Sequence, residues 1–151
     1  MINDTLNMKG QLKLVLSSPD TEDQIVEINN LVVDTGLAYI AARMINTDDD
    51  IMSHMAIGAG TTATTGTDAA LGSELARVAL TSTTNVTTTV TDDAVQYVAT
   101  FLPGTGTGAV TEAGTFNDAT AGTMLCRTVF DVINKGAFDT LTVTWKITIE
   151  A

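Results

Sequence analysis

The stretch LTVTWKITIE, residues 141–150, decides the fold class of this chain. Every odd position in it is apolar and every even position is polar or charged, with the single tryptophan, Trp145, near its centre. A strict period of two is typical of a strand with one face in a core and the other in water. The stretch therefore predicts a long, half-buried β-strand near the end of the sequence.

A second strand is predicted just before it. One face of this strand is apolar and the opposite face carries Arg127 and Asp131; the apolar residues are Met124, Cys126, Phe130 and Val132. The connecting sequence NKGAFD, residues 134–139, has the composition of a turn. We therefore expect the two strands to pair as an antiparallel hairpin.

Alternation predicts further strands upstream. Two of them are defined by an apolar face: one by Leu12, Leu14 and Leu16, the other by Val95, Tyr97, Ala99 and Phe101. One or two more are expected within 78–91, and a short one over 109–116. In IVEINNLVV, residues 25–33, the apolar parity changes from Val26 and Ile28 to Leu31 and Val33. This change predicts a bulge or a tight turn at Asn29 and Asn30.

One segment has the period of a helix. Its apolar residues recur at i, i+3, i+4, i+7 and i+8, which predicts an amphipathic helix from about Thr35 to Asn46 that lies against a sheet; they are Leu37, Ile40, Ala41, Met44 and Ile45. Asp34 or Thr35 is the expected cap. The fold expected is all-β: an antiparallel, jelly-roll-like β-sandwich of one domain over 1–151, with this helix and with residues 1–10 as a candidate extended N-terminal arm.

Composition and net charge limit the classes of partner that we expect for this chain. Of the 151 residues, 44% are hydrophobic and 17% are charged, which suits a packed core rather than a disordered chain. The formal net charge is −11 and the few cations are scattered, so we expect no nucleic-acid partner. The sequence has no apolar run long enough to cross a bilayer and no secretory signal, and we expect no membrane partner. A single cysteine excludes an intrachain disulfide and suits folding in a reducing cytoplasm.

The glycine-rich stretch from His54 to Leu80 raises the question of a phosphate-binding loop. A P-loop needs a lysine after its last glycine, yet Gly66 is followed by Thr67 and Asp68. The spacing of Gly58 and Gly60 also departs from a dinucleotide-binding fingerprint. We therefore interpret the stretch as a structural loop, followed by a short helix that Asp68 caps and that buries Leu71 and Leu75.

The chain offers few residues for catalysis or metal binding. His54 is the only histidine and lies in an apolar run, and Cys126 lies on the apolar face of a predicted strand. We predict no catalytic, cofactor-binding or metal-binding residue and no cofactor. Calcium binding by an acidic loop is left open; the acidic groups are Asp20, Glu22 and Asp23; Asp48, Asp49 and Asp50; and Asp92 and Asp93.

From about Asn30 onward, the chain resembles small structural proteins of tailed bacteriophages. Two patterns carry the resemblance: AIGAGTT followed by DAALGSEL.R, within 56–77, and TEAGTFN followed by MLCRTVF.VINK and LTVTW.ITI, within 111–149. Such proteins include head decoration (cement) proteins and tail-fibre-like proteins. The family implies no catalytic residues.

The resemblance implies a capsid decoration protein, located on the capsid surface of the virion and assembled in the host cytoplasm. Its expected partners are the major capsid protein and further copies of itself, as a homotrimer. A tail, baseplate or fibre-associated protein of the same phage is the alternative. An enzyme or a small-molecule carrier ranks last, because the chain has one histidine and one cysteine from which to build a site.

Overall fold

The computed structural model describes residues 4–45 and 50–151, and these form nine strands and one helix. The expected all-β class with a single helix is confirmed. The elements are β1 (Asn7–Ser17), β2 (Gln24–Val32), α1 (Asp34–Ile45), β3 (His54–Gly58), β4 (Glu74–Ala79), β5 (Ser82–Val86), β6 (Ala94–Phe101), β7 (Gly108–Phe116), β8 (Met124–Lys135) and β9 (Thr140–Glu150).

The described strands belong to one antiparallel, curled sheet in the order β4-β3-β7-β8-β2-β1-β9-β6-β5. A separate two-sheet, jelly-roll-like sandwich is therefore not confirmed. The joint between β2 and β8 is short, since it consists of the pairs Leu31–Arg127 and Val32–Cys126. It divides the sheet into a β9 half (β2, β1, β9, β6, β5) and a β8 half (β8, β7, β3, β4).

Both halves contribute to one hydrophobic core. Trp145 and Leu14 from the β9 half lie in the same buried cluster as Ile57 and Ile133 from the β8 half, and all four are at most 1% exposed. Burial of large apolar side chains supplies most of the favourable free energy of folding. The curl is therefore stabilised by contacts between residues that are far apart in the sequence.

The strand that decided the fold class is confirmed. β9 spans Thr140–Glu150, and its predicted apolar face is buried from Leu141 to Ile147. The alternation fails at the end of the strand, where Thr148 is buried and Ile149 is 42% exposed. β9 lies at the centre of its half, between β1 and β6. Trp145 stands directly opposite Leu12 on one side and Tyr97 on the other, which explains its complete burial.

The predicted hairpin between β8 and β9 is wrong. β8 pairs with β7 and β2, whereas β9 pairs with β1 and β6. Residues 136–139 therefore carry the chain from one half of the sheet to the other. Periodicity shows which face of a strand is buried but does not show which strand lies beside it, and turn-forming residues occur in both kinds of connection.

The predicted apolar face of β8 is confirmed at one end and wrong at the other. Met124, Cys126 and Phe130 are buried, but Val132 is 48% exposed. The register against β7 shifts by two residues between Val129 and Ile133. This irregularity turns Ile133 inward in place of Val132.

No bulge or turn interrupts β2 at Asn29 and Asn30. β2 pairs with β1 in unbroken register, and Asn30 takes the inward position between Ile28 and Val32. The indole N–H of Trp145 donates to Oδ1 of Asn30 at 2.8 Å. A buried indole nitrogen needs an acceptor, which is why a polar residue occupies a position that alternation assigns to an apolar one.

The helix is confirmed over Asp34–Ile45, and Asn46 lies outside the described residues. The residues that pack against the sheet are Gly36, Tyr39 and Ile40 rather than the full predicted stripe. A Cβ at Gly36 would overlap the carbonyl oxygen of Leu125 in β8. The hydroxyl of Thr35 donates to the carbonyl of Met124 at 2.8 Å, so this residue ties the helix to β8 instead of capping it.

The N-terminal arm is shorter than expected, because β1 begins at Asn7 and residues 7–10 pair with β9. Residues 4–6 precede the strand, and residues 1–3 lie outside the described range. Within the described residues, no helix is long and apolar enough to span a membrane.

Candidate functional site

The glycine-rich stretch contains β3, β4 and the loop 59–73 that connects them, and backbone N–H groups of this loop bind a carboxylate of the protein itself. Oε1 of Glu112 accepts hydrogen bonds from the N–H of Gly60 at 2.8 Å and of Ser73 at 2.7 Å. Oε2 accepts one from the N–H of Gly72 at 2.9 Å. The loop is thus built to bind an anion, and Glu112 from β7 is that anion.

Arg127 of β8 completes this cluster. Its Nε and Nη2 donate to Oε2 of Glu112 at 3.0 and 2.8 Å, and its Nη1 donates to Oδ2 of Asp68 at 2.7 Å. Glu112 and Arg127 are almost completely buried. We call Asp68, Glu112 and Arg127, with the N–H groups that they bind, the Glu112 clamp.

The electrostatics of the clamp favour its charged form. Burial raises the pKa of Glu112, but the hydrogen bonds from Ser73, Gly72, Arg127 and Gly60 outweigh burial and hold its pKa below the ordinary value. Charge-assisted hydrogen bonds of this kind are roughly twice as strong as neutral ones. The clamp therefore fixes the 59–73 loop to the sheet, which supports a structural role for the glycine-rich stretch.

The short helix predicted after Asp68 is wrong. Asp68 accepts a hydrogen bond from the backbone N–H of Thr65 at 3.0 Å and pairs with Arg127, and the chain enters β4 at Glu74. Leu75 is 39% exposed rather than buried. The acidic residue that resembled a helix cap instead anchors the loop.

His54 and Cys126 lie on different strands, with β7 between them. His54 is the first residue of β3, which confirms the prediction that it lies in a strand. Its Nδ1 lies 2.8 Å from the hydroxyl oxygen of Ser53. Cys126 is completely buried, as predicted, and burial raises the pKa of its thiol to about 12. Because the thiolate is the reactive form, burial disfavours nucleophilic chemistry at Cys126.

Arg77 of β4 makes a further cluster that sequence reasoning missed. Its guanidinium lies 3.7 Å from the centre of the Phe116 ring and pairs with Glu74 at 2.7 Å. Its Nη1 also donates to the carbonyls of Asp118 and Ala121, at 3.1 and 2.8 Å. The two carbonyl contacts tie the 117–123 connection to β4, and no local signal in the sequence predicts them, because these partners lie about forty positions from Arg77.

The acidic groups considered for calcium do not assemble into a described metal site. The carboxylate of Asp93 accepts hydrogen bonds from the backbone N–H groups of Val90, Thr89 and Thr88, which lower its pKa and close its own loop. Asp48 and Asp49 lie outside the described residues. Over 4–45 and 50–151, no three His, Cys, Asp or Glu side chains are placed to hold a metal ion together.

The first candidate interaction surface is the outer face of α1. Leu37, Met44 and Ile45 are 51, 82 and 90% exposed, although the helix pattern placed them against the sheet. We call these three residues the α1 apolar face. Contiguous exposed apolar surface of this kind is typical of protein contact sites.

The second candidate surface is an open groove of about 350 Å³ on the side of the β9 half that faces away from the core, and Leu12 and Ile28 are the two apolar residues in its lining. We call it the lysine groove. Its polar lining comes from four adjacent strands and consists of Gln11, Lys13, Glu27, Asn29, Gln96, Thr144 and Lys146.

Comparison of the chain with protein-family models, with curated proteins and with solved structures found no match. The fold itself defines an all-β protein with one curled sheet in its described residues, and its two candidate surfaces are the α1 apolar face and the lysine groove.

Proposed function

We propose that this chain is a bacteriophage virion structural protein, most specifically a capsid decoration protein that binds the outer shell and stabilises contacts between major capsid subunits. The observation that carries the proposal is the α1 apolar face. A protein that acts by binding protein neighbours needs exposed apolar area held on a rigid support. α1 has that support, because Gly36 and Thr35 hold it against β8.

Burial of the α1 apolar face by a partner would release enough free energy to support binding. Complete burial of a leucine, isoleucine or methionine side chain contributes about 1.5–3 kcal/mol. Met44 and Ile45 are more than four-fifths exposed, so a partner would gain most of that contribution from each of them. Contacts repeated over many copies on a shell would add to its stability.

The end of the sheet supports the proposal independently. β5, Ser82–Val86, is the last strand of the β9 half, and among the described strands it pairs with β6 alone. Its sequence, STTNV, contains no charged residue and no proline, the two devices that commonly block pairing at an exposed edge. A neighbouring subunit can therefore add a strand at β5.

The experiment is co-sedimentation of the purified chain with phage shells assembled without it. We expect the wild-type chain to bind the shells. The double variant Met44→Glu/Ile45→Glu should bind at least about tenfold more weakly, because charged side chains at an interface must be desolvated.

The matched control is Val90→Glu/Leu102→Glu, which places the same charges at two other exposed apolar residues. It should bind like the wild type, and thermal unfolding should verify that both variants fold. Failure of the wild-type chain to bind shells would contradict the decoration role. Counting copies in the purified virion then tests the alternative, since a few copies per particle would place the protein in the tail, baseplate or fibre.

A further inference from the structure

The lysine groove gathers two cations, Lys13 and Lys146, and Glu27 is the one carboxylate that stands opposite either of them in the strand register. Neither Lys13 nor Lys146 makes an ion pair within the described part of the chain. Lys9, Arg77 and Arg127, by contrast, are each paired with a carboxylate. In a protein with a formal net charge of −11, two unpaired ammonium groups on one concave surface form a local site for an anion.

Strand register builds this site. Asn29, Gln11, Lys146 and Gln96 stand opposite one another across four neighbouring strands. Neighbouring strands are about 4.8 Å apart, so this polar row extends over about 14 Å.

A second, parallel row contains Glu27, Lys13 and Thr144. Glu27 is the single carboxylate in the lining, which leaves the groove with one net positive charge. The amides on either side can donate hydrogen bonds to carboxylate oxygens.

The chain also carries a matching acidic segment. Residues 18–23, with the sequence SPDTED, join β1 to β2, and we call them the acidic turn. Asp20, Glu22 and Asp23 are exposed and make no ion pair with the described residues. Several other carboxylates are already engaged: Asp68, Glu74, Glu112 and Glu150 by cations, and Asp93 and Asp139 by backbone N–H groups.

We propose that the lysine groove of one copy binds the acidic turn of a second copy. Three carboxylates presented on a short turn complement two ammonium groups surrounded by amides. The inference deepens the proposed function and rests on it, because it names the surface through which the protein contacts itself. The groove and the turn are different surfaces, so the contact can repeat head to tail from copy to copy, and it forms a closed ring such as a trimer when the rotation between copies closes.

The experiment measures the oligomeric state of the isolated chain by sedimentation velocity, with no shell present. We expect an oligomer at low ionic strength that dissociates as sodium chloride approaches about 0.5 M, because salt screens exposed charges. The neutral variant Lys13→Gln/Lys146→Gln should raise the dissociation constant about tenfold or more. The control Thr61→Glu/Ala119→Glu has the same net charge at exposed sites in the β8 half and should associate like the wild type.

A charge exchange makes the test specific. The groove variant Lys13→Glu/Lys146→Glu and the turn variant Asp20→Lys/Glu22→Lys/Asp23→Lys should each be monomeric. One chain that carries both sets should associate again, because its groove and turn are complementary with the signs reversed.

Three results would overturn the self-contact: a wild-type chain that is monomeric at every concentration, association that is insensitive to salt, or groove variants that associate normally. A monomer that still binds shells would overturn the self-contact while leaving the decoration role intact. If the groove variants of that monomer also lose shell binding, the groove contacts the shell and not a second copy.

Discussion

At the scale of single residues, Glu112 fixes a long loop to the sheet. Its two carboxylate oxygens accept hydrogen bonds from three backbone N–H groups of the fifteen-residue connection 59–73 and from the guanidinium of Arg127. None of these partners is within ten positions of Glu112 in the sequence. The clamp thus explains how the glycine-rich loop 59–73 is held against the sheet: its backbone N–H groups bind the carboxylate of Glu112 in β7.

We expect Glu112→Gln to lower the free energy of unfolding by about 3 kcal/mol, the low end of the cost of breaking a buried ion pair, because the buried Arg127 keeps Asp68 as a carboxylate partner. Urea unfolding followed by circular dichroism measures this change. Glu74→Gln is the matched control, since Glu74 is about one-third exposed and Arg77 keeps two carbonyl partners, so the change should cost no more than about 1 kcal/mol. Equal losses of unfolding free energy in the two variants would contradict the prediction that the Glu112 clamp stabilises the fold more than the Arg77–Glu74 pair does.

The pH dependence follows from the same carboxylate. The folded protein holds the pKa of Glu112 below its ordinary value of 4.5, so the carboxylate stabilises the fold fully above pH 4.5. That contribution is lost as the pH falls from 4.5 through the folded-state pKa. We expect the stability difference between the wild type and Glu112→Gln to shrink steadily between about pH 5 and pH 3. Urea midpoints across this range would measure it, and a constant difference would contradict the prediction.

At the scale of elements, α1 illustrates how packing overrides a helical pattern. Its apolar stripe at i, i+3 and i+4 predicted the buried face, but close approach to β8 requires a residue without a side chain. Gly36 is therefore the contact point, because any Cβ there overlaps the carbonyl of Leu125. The helix is rotated accordingly, and Leu37, Met44 and Ile45 face outward.

We expect Gly36→Ala to destabilise the protein by about 1–3 kcal/mol, the usual cost of overpacking. Helix propensity alone predicts the opposite sign, a gain of about 0.5–1 kcal/mol. Thermal unfolding distinguishes the two. Ala38→Gly, at an exposed position of the same helix, is the control and should cost up to about 1 kcal/mol through propensity. A higher midpoint for Gly36→Ala would show that the helix does not lie this close to β8.

At the scale of the whole molecule, the two halves of the sheet share few backbone pairs and one large core. β2 and β8 are joined by two residue pairs, whereas the buried cluster includes side chains from both halves. Hydrophobic burial between the halves should therefore couple their unfolding. A single cooperative transition is the expected behaviour of a domain with one core.

Two native probes test this coupling. Trp145 reports on the β9 half through its fluorescence, and Cys126 reports on the β8 half through its reactivity toward a thiol reagent, since both are buried. We expect the two probes to have the same midpoint in urea. Reaction of Cys126 at lower urea than the change in Trp145 fluorescence would show that the β8 half unfolds on its own.

The sequence by itself determined the all-β class, the presence of one helix and most of the buried faces, including those of β1, β6 and β9. These are local properties: a period of two or of 3.6 reports how a segment meets the core, whatever lies on the other side. The structural role of the glycine-rich stretch was also readable, because that stretch has no lysine for a phosphate.

Only the tertiary structure decided which strands are neighbours, which residues complete the Glu112 clamp and which face of α1 is covered. β8 and β9 follow each other in sequence yet lie in opposite halves, and Arg127 meets Asp68 across 59 positions. Asn30 faces inward because Trp145, 115 positions away, needs a hydrogen-bond acceptor. Such pairings depend on how the sheet curls around its core, and that curl follows from the sum of long-range contacts and not from any one segment.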